Sequence, residues 1–194
     1  TGECVVLSQQ DTLLQSEEIS IRVNRAGEAV YETKDSVAPS STTYNIMEVP
    51  QGAEFHLTLG DGTKVWLNSG TKLRYPVKFT GDVRFVELNG EAYFDVAKNK
   101  DCPFIIQSQD YKIRVLGTTF NLNNYEDSEE LQLTLCTGKV LMNFGEEQLK
   151  LTPGEQLVLD KTNMHLEREH VNTQNYMLWM QNKLYFNRTP IQEV

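Results

Sequence analysis

From Glu54 onward the chain alternates apolar and polar side chains almost one for one, and this period of two constrains the fold more than any other feature. Such alternation is that of strands with one buried face. Phe55, Leu57 and Leu59 alternate with Glu54, His56 and Thr58, and Val65 and Leu67 with Lys64 and Asn68. Leu73, Tyr75, Val77 and Phe79 form the next row, followed by Ala92, Phe94 and Val96, then Tyr111, Ile113 and Val115. Later rows are Leu131 to Leu135, Val140 to Phe144, Leu149 with Leu151, and Leu157 with Leu159. Turn signals separate them: Gly60-Asp61-Gly62, Asn68-Ser69-Gly70, Thr80-Gly81-Asp82, Thr137-Gly138 and Thr152-Pro153-Gly154. Asn89-Gly90 is the strongest two-residue hairpin signal. Pro76 lacks a ladder donor, so its strand is expected at an edge or a bulge.

About ten short strands with one apolar face each must pair as two sheets. The expected fold is all-β: a two-layer antiparallel sandwich, jelly-roll-like or a β-solenoid-like roll. One segment departs from it. Tyr176, Met177, Trp179, Met180 and Leu184 recur at three- and four-residue steps, which predicts one short helix from Asn172 to Leu184. Asn172 or Thr173 would cap it, and a strand at Leu184-Tyr185-Phe186 would follow. Before residue 45 only Ile19, Ile21 and Val23 alternate, and Ala38 to Thr43 reads as an exposed loop and the best internal linker.

A chain of 194 residues is one domain, or one plus a fragment of another. Eighteen basic against 27 acidic residues leave a net charge of −9. That balance argues against phosphate-rich nucleic acid and against anionic lipid as ligands. No run of 18 apolar residues occurs, and no signal peptide is recognised. Cys4, Cys102 and Cys136 form no CxxC, so one bridge or three small apolar thiols both remain open. Thr1 is not an initiator methionine, and Thr189-Pro190 resembles a helix start, so both ends read as cuts within a longer protein.

Specific strings go further. Leu59-Gly60-Asp61-Gly62-Thr63-Lys64-Val65-Trp66-Leu67-Asn68 resembles the "LPDGTKVWLN" motif of the FecR family, and Leu73-Arg74-Tyr75-Pro76 follows it as in that family. Leu88 to Val96 is similar to "L-x-GEAYFDV", and Val115 to Leu122 to "VLGTxFNV". Pro103 to Ile106, Thr137 to Val140, Pro153 to Gln156, and Trp179 with Leu184-Tyr185-Phe186-Asn187 and Pro190 complete the order. Gly60 replaces a common proline. The resemblance runs from about Val49 to Val194, and its flavour is that of Bacteroidetes members.

The resemblance implies the periplasmic region of a single-pass inner-membrane anti-sigma factor. A TonB-dependent outer-membrane transducer, occupied by an iron chelate or a glycan, would signal to it. An extracytoplasmic-function sigma factor, held by a cytoplasmic region outside this sequence, would then be released. It implies no cofactor, no metal and no enzyme activity on an external substrate. It divides the chain into an N-terminal strand and linker region (1–48), a FecR-type β domain (49–171), and a helix leading into a truncated domain related to the secretin and TonB N-terminal fold (172–194).

Few residues suggest chemistry. Gly117-Thr118 matches a bond that several family members are thought to cleave in themselves by an N-to-O acyl shift. A bulge glycine where Val115 and Phe120 switch faces explains the same dipeptide. His165, Glu167 and Glu169 would share a strand face beside His170, as metal ligands or as a solvated face. Glu87 and Glu91 flank Asn89-Gly90 and read as exposed charges rather than a glycosidase pair. Glu91, Tyr93 and Asp95 would share one face, for structural hydrogen bonding or a partner. Trp66 projects from the outer side, where a carbohydrate-binding module would stack a sugar, although packing accounts for a lone Trp. A transducer is expected to add a strand near Leu184, Tyr185, Phe186 and Asn187.

Overall fold

Most of the alternating rows form strands, although Val77 and Phe79 lie beyond the strand that holds Leu73 and Tyr75. The computed structural model describes residues 12–15, 19–23, 28–33, 43–108, 111–181 and 183. Three early strands, β1 (Thr12–Gln15), β2 (Ile19–Val23) and β3 (Glu28–Thr33), precede β4 (Tyr44–Glu48), β5 (Phe55–Thr58), β6 (Lys64–Leu67) and β7 (Lys72–Pro76). The long β8 (Arg84–Asp95) leads to β9 (Phe104–Gln107), β10 (Tyr111–Val115), β11 (Thr119–Asn124) and β12 (Glu130–Thr137). β13 (Val140–Phe144), β14 (Glu147–Leu151), β15 (Glu155–Asp160) and β16 (His165–His170) complete the sheet. The expected linker, Ala38 to Thr43, lies outside the described residues except for Thr43.

The strands curl into a two-layer all-β roll, as the alternation requires. The first layer runs β5-β6-β8-β11-β12-β15-β16, with β1-β2-β3 joined to it through β3 and β5. The second runs β4-β7-β8-β9-β10-β13-β14. β8 belongs to both. Its first half pairs with β7 and β9, and its second half with β6 and β11. Most pairings are antiparallel, but β3 with β5 and β8 with β9 are parallel. The chain fills the layers by hairpins: β5-β6 in the first, β9-β10 in the second, β11-β12 in the first, β13-β14 in the second, β15-β16 in the first.

Between the layers lies one core. Phe94 and Phe120 stack with ring centres 5.1 Å apart, and Phe104 reaches across from the second layer to 6.0 Å from Phe94. Pro76 ends β7 beyond Arg74, where the pairing with β8 has already stopped, so its missing N–H interrupts no bond there.

Asn89-Gly90 is not a hairpin. Both residues lie inside β8, whose burial alternates through them without a break. Gly90 has φ +122°, and a Cβ there would stand 2.6 Å from the Cα of Thr71. Glycine serves here as the corner at which one strand passes from the second layer to the first.

The expected helix forms at Thr173–Gln181, in 3-10 geometry. The Asn172 side chain accepts from the Gln174 amide at 3.1 Å, as a cap should. The strand expected at Leu184-Tyr185-Phe186 lies outside the described residues. Among the described residues no helix is long and apolar enough to cross a membrane.

Candidate functional site

The family-like strings mark the roll's structural joints. In the β5-β6 turn, Asp61 accepts from the Thr63 amide at 3.0 Å and from the Thr63 hydroxyl at 2.7 Å. The same carboxylate takes Arg84 Nη1 at 2.6 Å. Arg84 is the largest fully buried side chain, 2% exposed. It also donates to the carbonyls of Cys102 at 2.9 Å and Ala97 at 2.8 Å. A buried guanidinium costs several kcal/mol unless paired. Here one carboxylate and two carbonyls take its Nε and Nη1 and tie the β5-β6 turn to the start of β8, while Nη2 is buried without a partner. Arg84 was missed in the sequence because arginine reads as solvated. Its parity with Val86 and Leu88 was the available signal.

Gly117 and Thr118 form the crossover from β10 in the second layer to β11 in the first. Gly117 has φ +149°, and a Cβ would meet the Lys98 Cα at 2.8 Å. Thr118 is buried, donates its hydroxyl to the Lys139 carbonyl at 3.0 Å, and offers its own carbonyl to the Val96 amide at 3.1 Å. The register of β11 against β12 shifts between Thr119 and Phe120. The hydroxyl and the carbonyl of Thr118 both hold the crossover.

On the outer side of the first layer, register aligns His56, Trp66, Tyr93, Asn121, Thr134 and Gln156 in one row. Trp66 packs edge-on between His56, at 5.7 Å, and Tyr93, at 5.5 Å. Each ring is half-buried. Glu91 accepts from Asn68 and Asn121, both at 2.8 Å. Burial pushes its carboxyl above the usual range, and the two amides partly oppose that. The 3-10 segment lies over this row as a strap. Trp179 Nε1 donates to Asn121 at 3.4 Å, and Met177 Sδ is 3.9 Å from Cys136 Sγ. Burial raises the Cys136 thiol to about 11, with Thr173 partly opposing. Of the three residues expected on one face, Glu91 makes structural hydrogen bonds, Tyr93 packs and Asp95 is exposed.

Glu87 and Glu91 end on opposite outer faces of the roll, because β8 bends between them. Glu87 pairs with Arg74 at 2.8 Å. His165 and Glu167 are exposed and 3.6 Å apart, while His170 lies 3.9 Å from Glu155. Glu155 is the better-built group. It accepts from Arg168 and from the Thr152 amide, both at 2.6 Å, and these hold its carboxyl down at about 2. Among the described residues no three His, Cys, Asp or Glu side chains gather as a metal site would need. Cys102 and Cys136 are both free thiols; Cys4, Leu184, Tyr185, Phe186 and Asn187 lie outside the described residues.

The fold and these joints define a curled two-layer β domain whose described polar constellations hold loops, crossovers and a strap in place. The family described as FecR protein matches residues 45–141, and this chain belongs to it. Two crystal structures of a protein from Parabacteroides distasonis ATCC 8503, assigned as an anti-sigma factor, are similar to it. One, at 2.50 Å resolution, is 38% identical with a TM-score of 0.74, covering 78% of this chain and 71% of that one. The other, at 1.65 Å, is 39% identical with a TM-score of 0.73, covering 76% and 70%. No curated protein matches.

Proposed function

We propose that this chain is the sensor and regulatory region of an anti-sigma factor. It receives a signal from the N-terminal signalling domain of a TonB-dependent outer-membrane transducer and passes it to an extracytoplasmic-function sigma factor. It works in the periplasm, attached through a single inner-membrane helix, and the sigma factor is held on the cytoplasmic side by a region outside this sequence. It acts by binding rather than on an external substrate.

The observation that carries the reading is the likeness to the Parabacteroides anti-sigma structures, which extends over about three quarters of the chain. The use of Asp61, Arg84, Glu91 and Thr118 as structural ties agrees with it. The test is a calorimetric titration with the isolated signalling domain of the transducer encoded beside this gene. Saturable heat is expected. Folded samples that give none at two temperatures would rule the relay out, and saturable binding of a glycan that quenches Trp66 would favour a carbohydrate-binding module. Deleting 184–194 tests whether the segment around Leu184 and Phe186 docks: transducer binding should weaken, and unchanged binding removes that segment from the proposal.

A further inference from the structure

The two outer faces of the roll carry opposite charge. Strand parity and register assign each side chain to a face. On strands β5 to β16 of the first layer, Lys64 is the single Lys or Arg with outward parity, against Glu91, Asp95, Glu130, Asp160, Glu167 and Glu169. On the second layer the balance reverses. Lys72 is paired with Glu48 and Arg74 with Glu87. That leaves Lys112 and Arg114 on β10 and Lys150 on β14, all exposed and without an acidic partner among the described residues.

These cations are interspersed with apolar side chains: Arg114 stands between Ile105 and Leu141, and Lys150 lies beyond Leu141. One cross-strand row reads Phe85, Ile105, Arg114, Leu141, Lys150. Ile105 is 5% exposed yet stands outside the main core, on the outer side of β9, and Phe85 and Leu141 beside it are half-exposed. With strands about 4.8 Å apart, Arg114 and Lys150 stand two strands, or roughly 10 Å, from each other. That is about one Debye length, so salt leaves only a partly screened repulsion between them. The chain carries a net charge of −9, yet among the described residues no carboxylate stands on the outer side of β9, β10, β13 or β14.

From this segregation we infer that the outer face of β9-β10-β13-β14 docks a protein whose contact patch is acidic with apolar side chains interspersed. The inference rests on the relay proposed above, in which that protein is the transducer's signalling domain. Complementary charge would steer the encounter, and the half-exposed Phe85 and Leu141 would supply apolar contacts. An anionic bilayer is a poorer occupant: Ile105 is recessed, and the molecule as a whole is repelled. Three unpaired cations are also too few for a nucleic-acid footprint.

The experiment measures association of the signalling domain with the wild type, with K112E/R114E/K150E, with the milder K112Q/R114Q/K150Q, and with E167K/E169K on the opposite face. Circular dichroism checks that each variant is folded. The wild-type on-rate should fall with added salt. Charge reversal should lower it about tenfold or more, the glutamine variant less, and the opposite-face variant should not lower it. Wild-type affinity retained in both second-layer variants overturns this inference and leaves the relay standing. No binding by the wild type overturns both. Sedimentation of the wild type with vesicles of mixed phosphatidylcholine and phosphatidylglycerol, abolished by charge reversal, would assign the face to lipid and overturn the protein partner.

Discussion

Single residues decide whether the roll closes. Asp61 and Thr63 belong to a turn that is legible in the sequence, but their partner Arg84 became visible only when the layers came together. Removing one member of a buried pair strands the other charge. Arg84→Met should therefore cost about 3 kcal/mol, and Thr63→Val, which loses a hydroxyl donating to Asp61 and accepting from Ala97, about 1–2 kcal/mol. Chemical denaturation with unchanged m-values checks both. Glu155 sets an acid response. Its folded pKa is depressed from 4.5 to about 2, so its contribution is complete above the unfolded value and disappears as pH falls from about 4.5 to about 2. Glu155→Gln should be less stable than the wild type near neutrality, and the two urea midpoints should converge over that window. A constant gap would contradict the assignment. At Gly117-Thr118 the Thr118 hydroxyl is committed to Lys139, so a self-directed acyl shift would first have to break that bond. Mass spectrometry should find the chain intact. Two wild-type fragments split after Gly117, and lost in Thr118→Val, would establish cleavage instead.

At the scale of elements, most strands were legible because one face of each is buried. Their joints were harder to read. Asn89-Gly90 has the composition of a hairpin turn, but its neighbours Leu88 and Ala92 keep the same parity through it. Gly90→Ala should lose about 3 kcal/mol, because it combines a backbone conformation unfavourable to L-residues with a collision at Thr71. The same substitution in a real hairpin tip would leave the core packing unchanged. The apolar stripe from Tyr176 to Met180 announced a helix but not its 3-10 form, since steps of three and four residues over so short a run fit either geometry. Nine residues is long for 3-10 geometry and none of them is fully buried, so the strap is held by few contacts. In a chain ending at Val171, Cys136 loses the cover of Met177 and Thr173, and its alkylation should accelerate about tenfold or more, with Cys102 as the internal reference. An unchanged rate would mean that the strap does not protect the thiol.

Alternation tells each side chain which way to face, but not which strand lies next to which, and that is why the pairing order stayed hidden until the whole molecule was assembled. β8 pairs with β6 and β7 before it and with β9 and β11 after it, while β12 reaches past a whole hairpin to β15. Neither layer contains a complete sheet without β8, and Phe94, near the end of that strand, packs on Phe104 of one layer and Phe120 of the other. The two layers therefore have no independent stability. Thermal unfolding of residues 43–171 should be a single transition with equal calorimetric and van't Hoff enthalpies. Amide exchange should be slowest in β8, β11 and β12, which lie inside the sheet with partners on both sides. Because β8-β11, β10-β13 and β12-β15 each pair across an intervening hairpin, folding should be slow for its size, in the range of about milliseconds to seconds. Two resolved transitions, or protection confined to one layer, would mean that Gly90 is a hinge between separate sheets rather than a corner within one.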